Sequence, residues 1–78
     1  MDTRAIIRAL EHYEPGDDRL AVFLALWDKL TGSDQLLLAV AIRREDWYPD
    51  LQERMYRVSC TTKRELVERG QDLMNQNG

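Results

Sequence analysis

The sequence predicts an all-α fold, a small bundle of four to five short helices with a central antiparallel helix hairpin. Apolar residues recur at helical spacing in several segments, and Pro and Gly punctuate them at turns. The composition, 44% hydrophobic and 32% charged, is typical of a folded domain rather than a disordered tail. A chain of 78 residues has room for one domain, so residues 1–78 are taken as a single helical domain.

The first helix is predicted from apolar residues at helical spacing: Ile6, Ile7, Leu10 and Tyr13. Asp2 or Thr3 can cap its free amide groups. Pro15 and Gly16 then form a turn that ends it.

The second helix is predicted from one apolar stripe: Leu20, Phe23, Leu24, Trp27 and Leu30. Asp17 can act as its N-cap, and Asp18 suits the positive end of the helix dipole. Thr31 and Gly32 end the helix.

The third segment admits two interpretations, because residues 36–42 are seven consecutive apolar residues that fit a buried strand as well as a helix. The Leu and Ala content and the Ser33-Asp34 start favour a helix. The short connection to the second helix predicts an antiparallel hairpin of the two. The alternative is an α+β fold with a small β-hairpin formed by residues 36–42 and 54–60.

Pro49 interrupts the helical pattern. A short fourth helix is predicted after it, with Leu51, Met55 and Val58 on one side. Thr62 and Glu65 have the spacing of a capping box, so a last helix is predicted from that point.

Gly70 falls in the apolar face of the last helix. A glycine inside a helix costs about 1 kcal/mol relative to alanine, so we expect another backbone to approach closely there.

The two apolar runs, residues 20–27 and 36–42, carry more apolar surface than so short a chain is expected to cover alone. We therefore expect a homodimer. The side chains assigned to self-association are Val22, Leu26, Leu38 and Ile42.

The residues assigned to a partner protein lie near the break before Pro49: Arg43, Arg44, Trp47 and Tyr48. Arg, Trp and Tyr are enriched at interface hot spots, although aromatic residues more often pack within their own chain. We expect a small protein-binding module that acts as an inhibitor, adaptor or regulator of a larger protein. Nine arginines against two lysines indicate a bacterial or phage gene of high GC content.

Catalysis and metal binding are not expected. Cys60 and His12 are each the only residue of their type, which excludes an internal disulfide and makes a metal site or a Cys/His catalytic pair a poor hypothesis. No cofactor motif is present. We therefore expect a protein that is not an enzyme.

The alternative function is a helix-turn-helix DNA-binding regulator formed by residues 51–74, with Thr61, Thr62, Lys63 and Arg64 at the start of its second helix. A net charge of −3 and a pI near 5.0 disfavour nucleic acid as a partner. Neither apolar run is long enough for a membrane span, and the first residues do not resemble a secretory signal, so a cytoplasmic location is expected.

Overall fold

The computed structural model describes residues 2–77, with the side chain of residue 77 left out. The chain forms five helices: α1 (Thr3–Glu11), α2 (Asp17–Lys29), α3 (Gly32–Ile42), α4 (Tyr48–Arg57) and α5 (Cys60–Asn77). The predicted all-α bundle is confirmed. No strand occurs within residues 2–77, and both segments of the α+β alternative contain helix, so that alternative is wrong.

The turns before α1 and α2 show why these helices begin where they do. Asp2 caps α1, because its Oδ1 accepts hydrogen bonds from the N–H groups of Arg4 (3.0 Å) and Ala5 (3.4 Å). Gly16 precedes α2 with a φ of 122°, a backbone conformation that L side chains rarely adopt. The N-cap of α2 is therefore Gly16, and Asp17, which we expected there, is the first helical residue.

The start of α5 differs from the prediction by about one turn. The Oγ of Ser59 accepts a hydrogen bond from the N–H of Thr62 at 3.2 Å, and the Lys63 N–H bonds to the Ser59 carbonyl at 2.8 Å. Ser59 therefore caps α5. The box predicted at Thr62 and Glu65 lies inside the helix.

α2 is the central helix, and every residue from 19 to 25 is buried. It has its most extensive backbone contact with α5 and smaller contacts with α1 and α4. The connection to α3 is short, but α3 is in contact with α1 over a larger area of backbone than with α2. The helix paired with α2 is therefore α5 rather than the α3 expected from the hairpin.

Gly70 makes this pairing possible. A Cβ built on Gly70 would lie 2.1 Å from the Ala21 carbonyl oxygen and 2.9 Å from the Ala25 Cβ. The prediction of a close backbone approach at Gly70 is confirmed.

The core is formed mainly by α2 together with residues from α1, α3 and α4. Its buried apolar side chains are Ile7, Leu10, Leu20, Val22, Phe23, Leu24, Leu38, Ile42 and Leu51. Half-buried side chains of α5, Leu66, Val67, Leu73 and Met74 among them, pack against this cluster. No helix within residues 2–77 combines the length and the apolar character that crossing a membrane requires.

Candidate functional site

The outer side of α3 carries a patch of large apolar side chains in contact with solvent. Leu36 is 70% exposed, Leu37 55% and Val40 59%. Positions separated by three or four residues lie on the same side of a helix, which groups these three residues. Arg43, the C-cap of α3, and Arg44, in the turn that follows, are also exposed and come next along the chain. We call these five residues the α3 face.

The α3 face exists because the third apolar run has more apolar positions than one contact can cover. Leu38 and Ile42, four residues apart, are fully buried on the inner side of α3. Ala39 and Ala41 are half-buried between the two sides. The bundle covers the inner side only, and the remaining apolar residues of the run face solvent.

The basic end of the α3 face has no charged partner within the described chain. Among residues 2–77, the ion pairs join Arg54 to Asp17 and Asp50, Arg57 to Glu53, and Arg69 to Asp18. Neither Arg43 nor Arg44 takes part in one. Their positive charge remains available to an acidic group outside the chain.

The four residues predicted to bind a partner separate into two pairs. Arg43 and Arg44 are exposed, whereas Trp47 and Tyr48 are half-buried and pack against the core cluster. The Trp47 ring lies over the Arg19 guanidinium, whose Cζ is 4.8 Å from the ring centroid. Trp47 thus stabilises the interior of the chain, and its Nε1 is enclosed there without a hydrogen-bond partner.

Arg19 is a residue that the sequence analysis missed. It is 7% exposed, its Nε donates to the Leu10 carbonyl at 3.1 Å, and its Nη2 donates to the Tyr13 carbonyl at 3.0 Å. These bonds satisfy carbonyl groups near the end of α1 and join α1 to α2. Arg19 directly precedes the apolar run that starts at Leu20, and this position could have indicated that its side chain is buried.

The residues assigned to self-association require a correction. Val22, Leu38 and Ile42 are at most 1% exposed, and Leu26 is half-buried. The first three are covered by the chain's own helices, so they cannot form an interface without unfolding. The exposed part of the apolar surplus is Leu36, Leu37 and Val40 instead.

A cavity of about 220 Å³ lies between α2, α3, α4 and the start of α5. Its lining residues are Phe23, Leu24, Trp27, Ala39, Ile42, Tyr48, Met55 and Lys63. It opens on a different side of α3 from the α3 face, because Ala39 and Ile42 line it.

The remaining candidates are placed as follows. Cys60 is an exposed free thiol at the first residue of α5, and His12 is exposed at the C-cap of α1. No group of three or more metal-ligating side chains occurs in the described part of the chain. Among ionisable groups, the hydrogen bond and charge of Asp50 raise the pKa of Arg54 above its ordinary value.

The start of α5 is exposed, as a DNA-reading helix would require. Residues 59–65 are all exposed, and they include the four predicted base-contacting residues, Thr61, Thr62, Lys63 and Arg64. Cys60 and Glu65 flank those four residues. The segment therefore presents two bases and one acid to solvent.

Comparison with protein-family models, curated proteins and solved structures finds no match to this chain.

Proposed function

We propose that the protein is a small protein-binding module whose docking surface is the α3 face. The observation that carries the proposal is the exposure of Leu36, Leu37 and Val40 on one side of α3. Scattered exposed apolar residues are ordinary on protein surfaces, but a contiguous patch marks an interaction site more often.

The spacing of the α3 face fits a helix docked into a groove of a partner. Leu36 and Val40 follow the i, i+4 spacing of anchors on such a helix, and Leu37 lies beside them, with Arg43 and Arg44 just beyond the end of the helix. The free charges of Arg43 and Arg44 favour a groove with an acidic rim at one end. A module of this kind acts as an inhibitor, adaptor or regulator by occupying the partner's groove.

Self-association through the same face is the second candidate. Two copies related by a two-fold axis could pair their α3 faces, so that Leu36, Leu37 and Val40 of each copy cover those of the other. Three partly exposed side chains offer only a few hundred Å², whereas stable dimers bury about 800 Å² per subunit. We therefore expect any dimer formed by this face alone to be weak.

The test compares two matched variants of the full chain. Leu36→Glu places a charge in the α3 face, and Tyr56→Glu places one on α4 at another exposed large residue, 80% exposed. Tagged wild type and variants are incubated with lysate, and captured proteins are identified. Sedimentation of the purified proteins over a range of concentrations measures self-association in parallel.

The expected result is a partner, or a weak dimer, that persists with Tyr56→Glu and is lost with Leu36→Glu. Arg44→Glu should weaken binding to a different protein whose groove has an acidic rim. Equal capture and equal mass for wild type and Leu36→Glu would exclude the α3 face as the docking surface.

DNA binding by the start of α5 remains a different hypothesis, favoured by the exposure of Lys63 and Arg64. It predicts retardation of a DNA duplex at low salt, reduced by replacing both residues with Ala, with a smaller dependence on salt concentration. Absence of wild-type binding at low salt would exclude it.

A further inference from the structure

The 220 Å³ cavity between α2, α3, α4 and α5 is walled by three aromatic rings, those of Phe23, Trp27 and Tyr48. Phe23 and Trp27 also contact each other, with ring centroids 5.7 Å apart. A smaller cavity of about 50 Å³ shares Leu24, Met55 and Lys63 with it. The space is therefore mainly apolar, and it continues along α4 towards the start of α5.

Two of the lining residues, Tyr48 and Lys63, carry a polar group at the end of the side chain. The Lys63 ammonium forms no ion pair in the described part of the chain. Arg54 on α4 and Arg69 on α5, by contrast, are both paired with carboxylates. The Tyr48 hydroxyl has no hydrogen-bond partner among residues 2–77. No carboxylate belongs to the lining, so the charge of the cavity wall is positive.

We propose that this cavity binds a small organic carboxylate with an aromatic or compact apolar body. An apolar wall with a few polar groups that fix orientation is typical of ligand sites. An engineered protein cavity of about 150 Å³ holds benzene, so 220 Å³ accommodates a single ring with a short side chain. The carboxylate would pair with Lys63 and accept a hydrogen bond from Tyr48.

This site is independent of the protein-binding function proposed above. The cavity and the α3 face share no residue, and α3 contributes to the cavity through Ala39 and Ile42. Leu36→Glu should therefore leave ligand binding unchanged, and the two proposals can fail separately.

The test titrates the full chain with phenylpropionate and with phenylpropanol, its neutral counterpart. Binding is followed by NMR through the indole N–H of Trp27, a cavity residue. We expect a saturable shift of that resonance with phenylpropionate. Phenylpropanol should bind about threefold to fivefold more weakly, because an exposed ion pair contributes up to about 1 kcal/mol.

Two exposed neighbours on α5 provide a matched pair of variants. Lys63→Met should reduce the affinity for phenylpropionate to that for phenylpropanol. Arg64→Met changes a residue outside the cavity lining and should leave the affinity for both compounds unchanged. Equal affinity of the two compounds for wild type, or no effect of Lys63→Met, would overturn the anionic part of the proposal.

A filling variant tests the location. Ala39→Leu places a larger side chain at the cavity wall and should abolish the Trp27 shift with both compounds, while circular dichroism verifies that the helices remain. Undiminished binding to a folded Ala39→Leu, or no Trp27 shift in wild type up to the solubility limit, would overturn the site. If Ala39→Leu fails to fold, the Lys63→Met and Arg64→Met comparison still decides the outcome.

Discussion

Replacing Gly70 with Ala should destabilise the protein, although alanine is the better helix former. The new Cβ would lie 2.1 Å from the Ala21 carbonyl oxygen and 2.6 Å from its carbonyl carbon. Both atoms belong to the α2 backbone, which cannot rotate away as a flexible side chain could. To reach ordinary contact distance, α5 and α2 would have to separate by roughly 1 Å.

The magnitude follows from two opposing effects. Alanine gains about 1 kcal/mol of helix propensity over glycine inside α5. Overpacking typically costs 1 to 3 kcal/mol, and a clash with backbone belongs at about the upper end of that range. The net loss is about 2 kcal/mol, and each kcal/mol lowers the Tm of a domain this size by about 4 to 8 °C. We expect Gly70→Ala to lower the Tm by roughly 8 to 16 °C.

Thermal unfolding followed by circular dichroism measures the effect, and Gly32→Ala is the control. A Cβ at Gly32 has nothing within 4 Å, and Gly32 does not have a positive φ, so this variant should be neutral or slightly stabilising. A Tm for Gly70→Ala equal to or above wild type would refute the close α2–α5 packing on which the fold description depends.

Three further variants test other contacts by chemical denaturation. Arg19→Met should cost about 2 to 3 kcal/mol, because it removes the hydrogen bonds to the Leu10 and Tyr13 carbonyls; a loss below 1 kcal/mol would contradict that role. Leu38→Ala should cost about 2 to 5 kcal/mol as a core truncation, whereas Leu36→Ala should stay within about 0.5 kcal/mol, so equal losses would contradict the two-sided description of α3. Ser59→Ala should cost about 1 kcal/mol by removing the α5 cap, and an equal loss for exposed Thr61→Ala would show that Ser59 has no special role.

The parts of the fold that the sequence predicted well are those governed by local rules. Asp2 caps α1, and the turn at Pro15-Gly16 separates α1 from α2, because capping and turn chemistry depend on residues within a few positions of each other. The close backbone contact at Gly70 was predictable, because a glycine inside the apolar face of a helix usually marks a place where another backbone packs closely.

The pairing of helices was not predictable in the same way. The short link between α2 and α3 suggested a hairpin, but the angle at which consecutive helices leave a turn depends on which side chains can interdigitate. Gly70 lets α5 approach α2 more closely than any helix with a side chain at the contact could. The sequence predicted a close contact at Gly70 on α5, but it did not indicate that α2 is the helix on the other side of that contact.

The burial of the residues assigned to self-association was not predictable for a related reason. The seven apolar residues of 36–42 show that α3 has apolar groups on all sides, but only the tertiary structure decides which side the bundle covers. Leu38 and Ile42 are buried in the core, so Leu36, Leu37 and Val40 are left outside. Arg43 and Arg44 could be assigned to the surface from their charge alone, whereas Trp47 could not, because its role depends on the buried Arg19.

The proposal that the exposed leucines of α3 serve binding is supported by how little they contribute to folding. An exposed side chain contributes little to the stability of the single chain, and a polar residue that favours helix would serve at Leu36 or Leu37 equally well. Large exposed apolar groups also lower solubility. Under the proposed function, their benefit arises when a partner surface covers them, and the unpaired charges of Arg43 and Arg44 would give that surface a preferred orientation.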